Sequence, residues 1–261
     1  MAMYYTGDIH GGKVEITKFC KKRNLTADDV IAILGDVGAN YFLSERDYEL
    51  KRAFKKLKPT ILCVHGNHEC RPANIPTYIT KEWNGGTVWY EEDYPNLLFA
   101  KDGEIFDLDG LKHLVIGGAY SVDKFYRIIR NYGWWEDEQP SEEIKRYVEA
   151  QIKKHHIDVI LSHTCPFKYE PTEAFLPMIN QDEVDASTEK WLDTIEESCD
   201  YKLWLCGHWH INKSIDKIQF LYHNFISSEE IKHRICPSEL EKRIREIESG
   251  ECTLIEHALI D

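Results

Sequence analysis

Eight side chains that can bind a metal or carry a proton stand in five short clusters. Asp8 and His10 lie in GDIHGG, Asp36 in GDVGAN, Asn67 and His68 in HGNHECR, His163 in SHTCP, and His208 and His210 in GHWH. Carboxylate, imidazole and amide oxygen together suit manganese, iron, zinc, nickel or cobalt. The imidazoles argue against a site for magnesium or calcium alone. Asp8 and His10 are two residues apart, as are His208 and His210. On extended backbone such pairs point the same way and reach one ion or two adjacent ions. Either pair alone is weak ground, because most such pairs are satisfied polar partners. Five clusters in order, each closing an apolar run, point instead to one shared site.

The runs that must position them are four or five residues long and rich in Ile, Val and Leu: residues 3–6, 30–34, 61–64, 157–161 and 203–206, with a further one at 113–116 leading into GGAYS. They read as buried strands. Helical spacing recurs between them, in Leu50, Ala53, Phe54 and Leu57, in Ile144, Tyr147, Val148, Gln151 and Ile152 behind a Pro140–Ser141 start, and in Thr188, Trp191, Leu192 and Ile195. Strands alternating with helices imply an α/β fold, a sheet covered by helices, with ligands beyond the carboxyl ends of the strands. Residues 71–100 and 164–187 lack clear periodicity and read as loops over the site. Residues 1–235 form one domain in this reading. Residues 236–261 form a C-terminal helix and short strand packed on it, started by a capping box at Ser238–Glu241.

Composition narrows the class. The 261 residues suffice for one large domain, and the formal charge is −13. So acidic a chain disfavours long nucleic acid, whose binding rests on basic groups, but not a small phosphorylated substrate. The eight cysteines form no C-x-x-C pair, so a thiolate zinc module is not expected. With no secretory leader pattern and no membrane-length apolar stretch, the expected place is the cytoplasm, away from membranes. Oligomeric state is left open.

GDIHG, GDVGAN, GNHE, SHTCP and GHWH, in this order, resemble the calcineurin-like metallophosphoesterases, over residues 4 to about 225. The resemblance implies a four-layer α/β/β/α sandwich with the site at one edge of two sheets, here with a C-terminal helical extension. It implies two divalent ions, with manganese the first choice in vitro. Asp8, His10, Asp36 and His210 would hold one. Asp36, Asn67, His163 and His208 would hold the other, so that Asp36 bridges. A hydroxide between the ions would attack the phosphorus, and His68 would contact the phosphate and help protonate the leaving oxygen. Two such ions carry +4 against −3 from Asp8, Asp36 and the hydroxide, which leaves the site attractive to phosphate.

GNHECR also resembles the signature of the serine/threonine protein phosphatases. Their second motif, however, has an Asp that orients the catalytic His and an Arg that grips phosphate, where this chain has Ala39 and Asn40. Protein phosphatase activity is therefore not expected. Arg71 and Arg127 are the candidate phosphate clamps, with Asn67 beside them as a substrate contact. Tyr126, Trp134 and Trp135 are candidates to stack on a base, and His65 to brace the GNHE loop. The basic run Lys51, Arg52, Lys55, Lys56 and Lys58 reads as the solvated face of a helix. The expected function is a binuclear phosphatase or phosphodiesterase of small, nucleotide-sized substrates. The rivals are a nuclease of the same fold and a metal-binding scaffold without turnover.

Overall fold

The computed structural model describes residues 1–236. The extension expected over 236–261, with its capping box, lies outside them beyond Cys236. The strands are β1 (Met3–Thr6), β2 (Val30–Ile33), β3 (Thr60–Cys63), β4 (Ile79–Trp83), β5 (Gly86–Tyr90), β6 (Leu97–Ala100), β7 (Ile105–Leu108), β8 (Leu111–Ile116), β9 (Val159–Ser162), β10 (Leu203–Cys206), β11 (Lys213–Ile215), β12 (Ile218–Phe220) and β13 (Ile226–Ser227). The helices are α1 (Lys13–Arg23), α2 (Glu45–Lys55), α3 (Lys124–Ile129), α4 (Glu142–Lys154), α5 (Ser187–Ser198) and α6 (Ser228–Ile235).

One sheet runs β13-β1-β2-β3-β6-β5-β4, the other β11-β12-β10-β9-β8-β7. The central strands are parallel in both: β1, β2, β3 and β6 in the first, β8, β9, β10 and β12 in the second. Side chains alternate across each strand, so each sheet buries two faces. Met3, Tyr5, Val30, Ala32 and Leu62 meet Val115, Val159, Leu161, Leu203 and Leu205 between the sheets. The alternate residues Ile31, Ile33, Ile61 and Cys63 pack under Ile16 and Cys20 of α1 and Leu50 and Phe54 of α2. On the far side Leu114, Ile116, Ile160 and Trp204 pack under Val148 of α4 and Trp191, Leu192 and Ile195 of α5. Three apolar layers between four layers of elements make the expected α/β/β/α sandwich.

Two details depart from the sequence reading. Residues 71–100 are not loops over the site: they carry β4, β5 and β6, the outer edge of the first sheet. The hairpin between β4 and β5 turns on Asn84 and Gly85, both with positive φ, 47° and 90°. Asn-Gly is the residue pair that such a tight turn favours. Lys51 is not solvated. Its ammonium is buried 2.6 Å from Glu91 and lies over the Tyr78 ring, so the basic face of α2 is broken at that position. Within the described residues a capping box at Ser227 and Glu230 starts α6. The expected start of α4 holds, with the Ser141 side chain accepting from the Ile144 amide.

Candidate metal centre

Five of the parallel strands end in the five polar clusters. β1 delivers Asp8 and His10, β2 Asp36, β3 Asn67 and His68, β9 His163, and β10 His208 and His210. Paired strands in register bring these loops together from residues as far apart as His10 and His210. Glycines before the polar residues make the approach possible. A Cβ at Gly35 would fall 2.0 Å from the His163 ring, and one at Gly207 2.2 Å from Asp8 Oδ1. Four of the eight residues hold left-handed backbone without being glycine: His10 (φ 42°), Asp36 (47°), His208 (65°) and His210 (52°). Such conformations are unfavourable for side-chain-bearing residues and persist where the surroundings fix them, often at functional sites.

The side chains converge in two halves. In the more open half His10 Nε2 lies 2.9 Å from His210 Nε2 and 3.8 Å from Asp8 Oδ2, and His210 Nε2 lies 3.2 Å from Asp8 Oδ2. In the closed half Asn67 Oδ1 lies 2.8 Å from His163 Nε2 and 3.1 Å from His208 Nδ1. Asp36 stands between the halves, with Oδ2 3.9 Å from His10 Nε2 and Oδ1 3.6 Å from His163 Nε2. Potential ligand atoms fall within 4.8 Å of one another in three groups: Asp8, His10 and His210; His10, Asp36 and His68; and Asp8, Asp36 and His163. The imidazoles of His10 and His210 are partly exposed, while His163 is fully buried.

The donor set fits divalent cations on its own geometry. His163 Nδ1 is 2.8 Å from the Leu34 carbonyl, which only accepts, so Nδ1 carries the proton. In the neutral ring Nε2 is then a bare lone pair, and it faces Asn67 Oδ1 and Asp36 Oδ1, both acceptors. With the ring proton on Nδ1, three acceptor atoms converge at this distance, an arrangement that a bound cation satisfies. Asp8 Oδ2 likewise is buried, facing the His210 ring nitrogen at 3.2 Å, while Oδ1 accepts from the His208 amide at 2.7 Å. Burial pushes the Asp8 carboxyl up, but His210, His163 and His10 outweigh it and hold the group well below the usual carboxylate range. Burial and the neighbouring His163 bring His208 down to about 3, so its ring is neutral and free to coordinate.

His68 follows Asn67 into the cleft. Its amide donates to Asp36 Oδ1 at 2.8 Å, and its ring stacks beside Tyr41. Burial lowers its pKa, against the raising pull of Asp36. Its Nε2 lies 3.8 Å from Asp123 Oδ1, a carboxylate the sequence reading passed over although GGAYS pointed at this loop. Ser121, in the same loop, accepts from the Asn67 side-chain amide at 2.9 Å and so turns Asn67 Oδ1 toward the imidazoles. Glu69, fully buried, accepts from the Gly66 amide, and burial followed by the Asp36 charge raises it to about 8.

Several other expected residues are occupied differently. Arg71 is held by Asp102 and by the Asp137 carbonyl, and it lines a separate cavity with His65 and Tyr147. Arg127 is 1% exposed and is spent on the Asn67 carbonyl, Ser121 Oγ and the Gly133 carbonyl. It braces the Asn67 loop instead of opening onto the cleft. Asn40 accepts from the Tyr78 hydroxyl inside the fold. The His65 ring nitrogens have no hydrogen-bond partner, while its carbonyl accepts from the Gly118 amide at 2.8 Å. Tyr126 packs on Tyr132, and Trp134 donates to Glu138.

A family model described as calcineurin-like phosphoesterase matches residues 1–212. No curated protein sequence matches the chain. Solved structures with a similar course include a protein of unknown function from Aquifex aeolicus (15% identity, 88% of this chain and 97% of that one, TM-score 0.41). A protein of Thermus thermophilus is similar at 13% identity, over 87% and 97% of the two chains, with a TM-score of 0.48. Phosphopantetheinyl hydrolase from Mycobacterium tuberculosis is similar at 12% identity, over 91% and 93%, with a TM-score of 0.41.

Proposed function

The chain belongs to the calcineurin-like phosphoesterase family, and from that premise we propose that it is a metal-dependent hydrolase of small phosphoric esters. The observation that carries the reading is the closed half of the centre, where the His163 lone pair faces Asn67 Oδ1 and Asp36 Oδ1. Asp8, His10, Asp36 and His210 would hold one divalent ion and Asp36, Asn67, His163 and His208 a second. Bound there, the ions would polarise a phosphoryl oxygen and lower the pKa of a coordinated water.

The chain's own groups do the rest. Ser121 and Arg127 fix Asn67 from behind, through its amide and its carbonyl. The His68 backbone, anchored on Asp36, sets its ring at the mouth of the cleft, within reach of an ester oxygen. A proton on that ring passes to the leaving oxygen, and Asp123, at 3.8 Å, steadies the charged imidazole before transfer. Asp123 thus supplies a carboxylate charge near His68, where the protein phosphatase pattern has one at the position of Ala39.

The test is hydrolysis of p-nitrophenyl phosphate and bis-p-nitrophenyl phosphate with added manganese, with EDTA, and with His68→Ala. The reading expects turnover of at least one ester that EDTA abolishes and manganese restores. Turnover indifferent to EDTA, or none of either ester by manganese-loaded protein, would overturn it.

A further inference from the structure

Two cavities open on either side of His10 and His68, and they differ in chemistry. The larger, about 710 Å³, runs from Asp36 and Asn67 to the loop over residues 167–186. Phe167, Phe175, Leu176, Ile179, Trp209 and Ile211 form its apolar wall, with Phe175 stacked on Trp209 at 5.6 Å between ring centres. Leu176 is 58% exposed, a large apolar side chain held at the cavity with nothing packed over it. Among the described residues no Lys or Arg lines this cavity, while Asp123, Glu170, Asp182 and Glu189 do. The smaller cavity, about 470 Å³, is lined by two cations and one carboxylate, Lys13 at the start of α1, Arg46, whose guanidinium lies 4.6 Å over the Phe42 ring, and Glu49, and by Tyr41.

A monoester dianion has one arm. It would leave one cavity empty and would meet carboxylates in the larger one. A diester spanning His10 and His68 fills both. Resting on the hydrolase reading above, we infer that the substrate is a phosphodiester whose larger arm is uncharged and apolar, seated against Phe175, Leu176 and Trp209, and whose other arm is polar or anionic, seated at Lys13 and Arg46. The apolar wall gains from removing hydrocarbon from water, and its carboxylates exclude a second phosphate. A volume of about 710 Å³ accommodates an arm the size of a small drug molecule. Burial, with Glu189 and Asp193 nearby, lifts Glu170 to about 7, in keeping with an apolar surround.

The experiment compares kcat/KM for methyl, butyl and octyl p-nitrophenyl phosphates, with p-nitrophenyl phosphate alongside. Calorimetric binding of methylphosphonate and octylphosphonate to the purified protein gives a readout that needs no turnover. The inference expects the octyl ester to exceed the methyl ester by at least about tenfold, less than full burial of every methylene would give. It expects octylphosphonate to bind correspondingly tighter. Phe175→Ala, and the exposed Leu176→Asp should the first not fold, bring both octyl-to-methyl ratios to within about threefold of one. A flat series with equal phosphonate affinities overturns the inference and leaves the hydrolase reading standing, as does a monoester turned over faster than every diester. Octylphosphonate preferred in a protein that hydrolyses none of the esters supports the cavity assignment while the hydrolase reading fails.

Discussion

The strand-end loops and the wall over residues 164–186 face the same cleft but are built in different ways. The loops are polar, close the parallel strands of both sheets, and hold four non-glycine residues in left-handed backbone. The wall turns apolar side chains and carboxylates to the cleft and carries three short 3-10 turns, Phe167–Tyr169, Thr172–Ala174 and Gln181–Glu183, the first tied to α5 through Lys168 and the second to Lys213 of β11 through Glu173. The loops are set by sheets that cannot shift without breaking the core. The wall is mostly exposed, its apolar contact with the core made by Tyr169 and Cys165. In the function proposed above, chemistry falls to the first region and choice of substrate to the second, and substitutions in the two should fail in different ways.

The largest effect is expected at Asp36, which stands between the two halves. Asp36→Asn should lower the content of both ions, read by elemental analysis, and turnover by at least about 10³-fold for every ester. Loss of one ion alone would contradict its shared position. Next, His68→Ala should keep both ions and lose about two orders of magnitude in kcat, the usual scale of acid–base assistance. Wild-type rates would remove His68 from the mechanism.

Within the loops the two halves should separate. His163 is buried and His210 is half exposed. His163→Ala should lose an ion that added manganese does not restore, because it opens a buried cluster of acceptors. His210→Ala should bind the ion of the open half, the one shared with Asp8 and His10, about tenfold more weakly and recover at high manganese. Equal behaviour of the two variants would erase the distinction between a closed and an open half.

The smallest effect lies in the wall. Glu170 has a folded-state pKa raised to about 7 from an ordinary value of 4.5. The folded chain therefore keeps a proton that the unfolded chain has released, and stability falls as pH rises from 4.5 toward 7. Glu170→Gln should remove that slope, raising Tm at pH 8 relative to pH 5 by about 1–3 °C, with metal content unchanged. A lowered metal content would show that wall and loops are coupled.

How much the sequence disclosed follows the same division. Asp8, His10, Asp36, Asn67, His163, His208 and His210 were legible because each motif closes a buried strand, and strand pairing brings them together without help from side-chain detail. The β4–β5 hairpin was missed despite Asn84-Gly85, since its outer-edge strand β4 is largely exposed and lacks the apolar run that marks the central ones. Arg71 and Arg127 failed as clamps because proximity in sequence to the GNHE and GGAYS loops does not fix which way a long side chain turns. Asp102 and the Asp137 carbonyl claim one, and the Asn67 and Gly133 carbonyls the other. Lys51 followed the same rule, drawn inward by Glu91 from a distant strand end. The wall has no periodicity to read, and its function depends on the face it turns to His68.

The most direct test of the metal centre is anomalous diffraction from crystals of the full chain soaked in manganese. The account predicts two peaks in the cleft, one among Asp8, His10 and His210 and one among Asn67, His163 and His208, both in contact with Asp36. A cleft without peaks at saturating manganese, or ions bound only elsewhere on the surface, would contradict it.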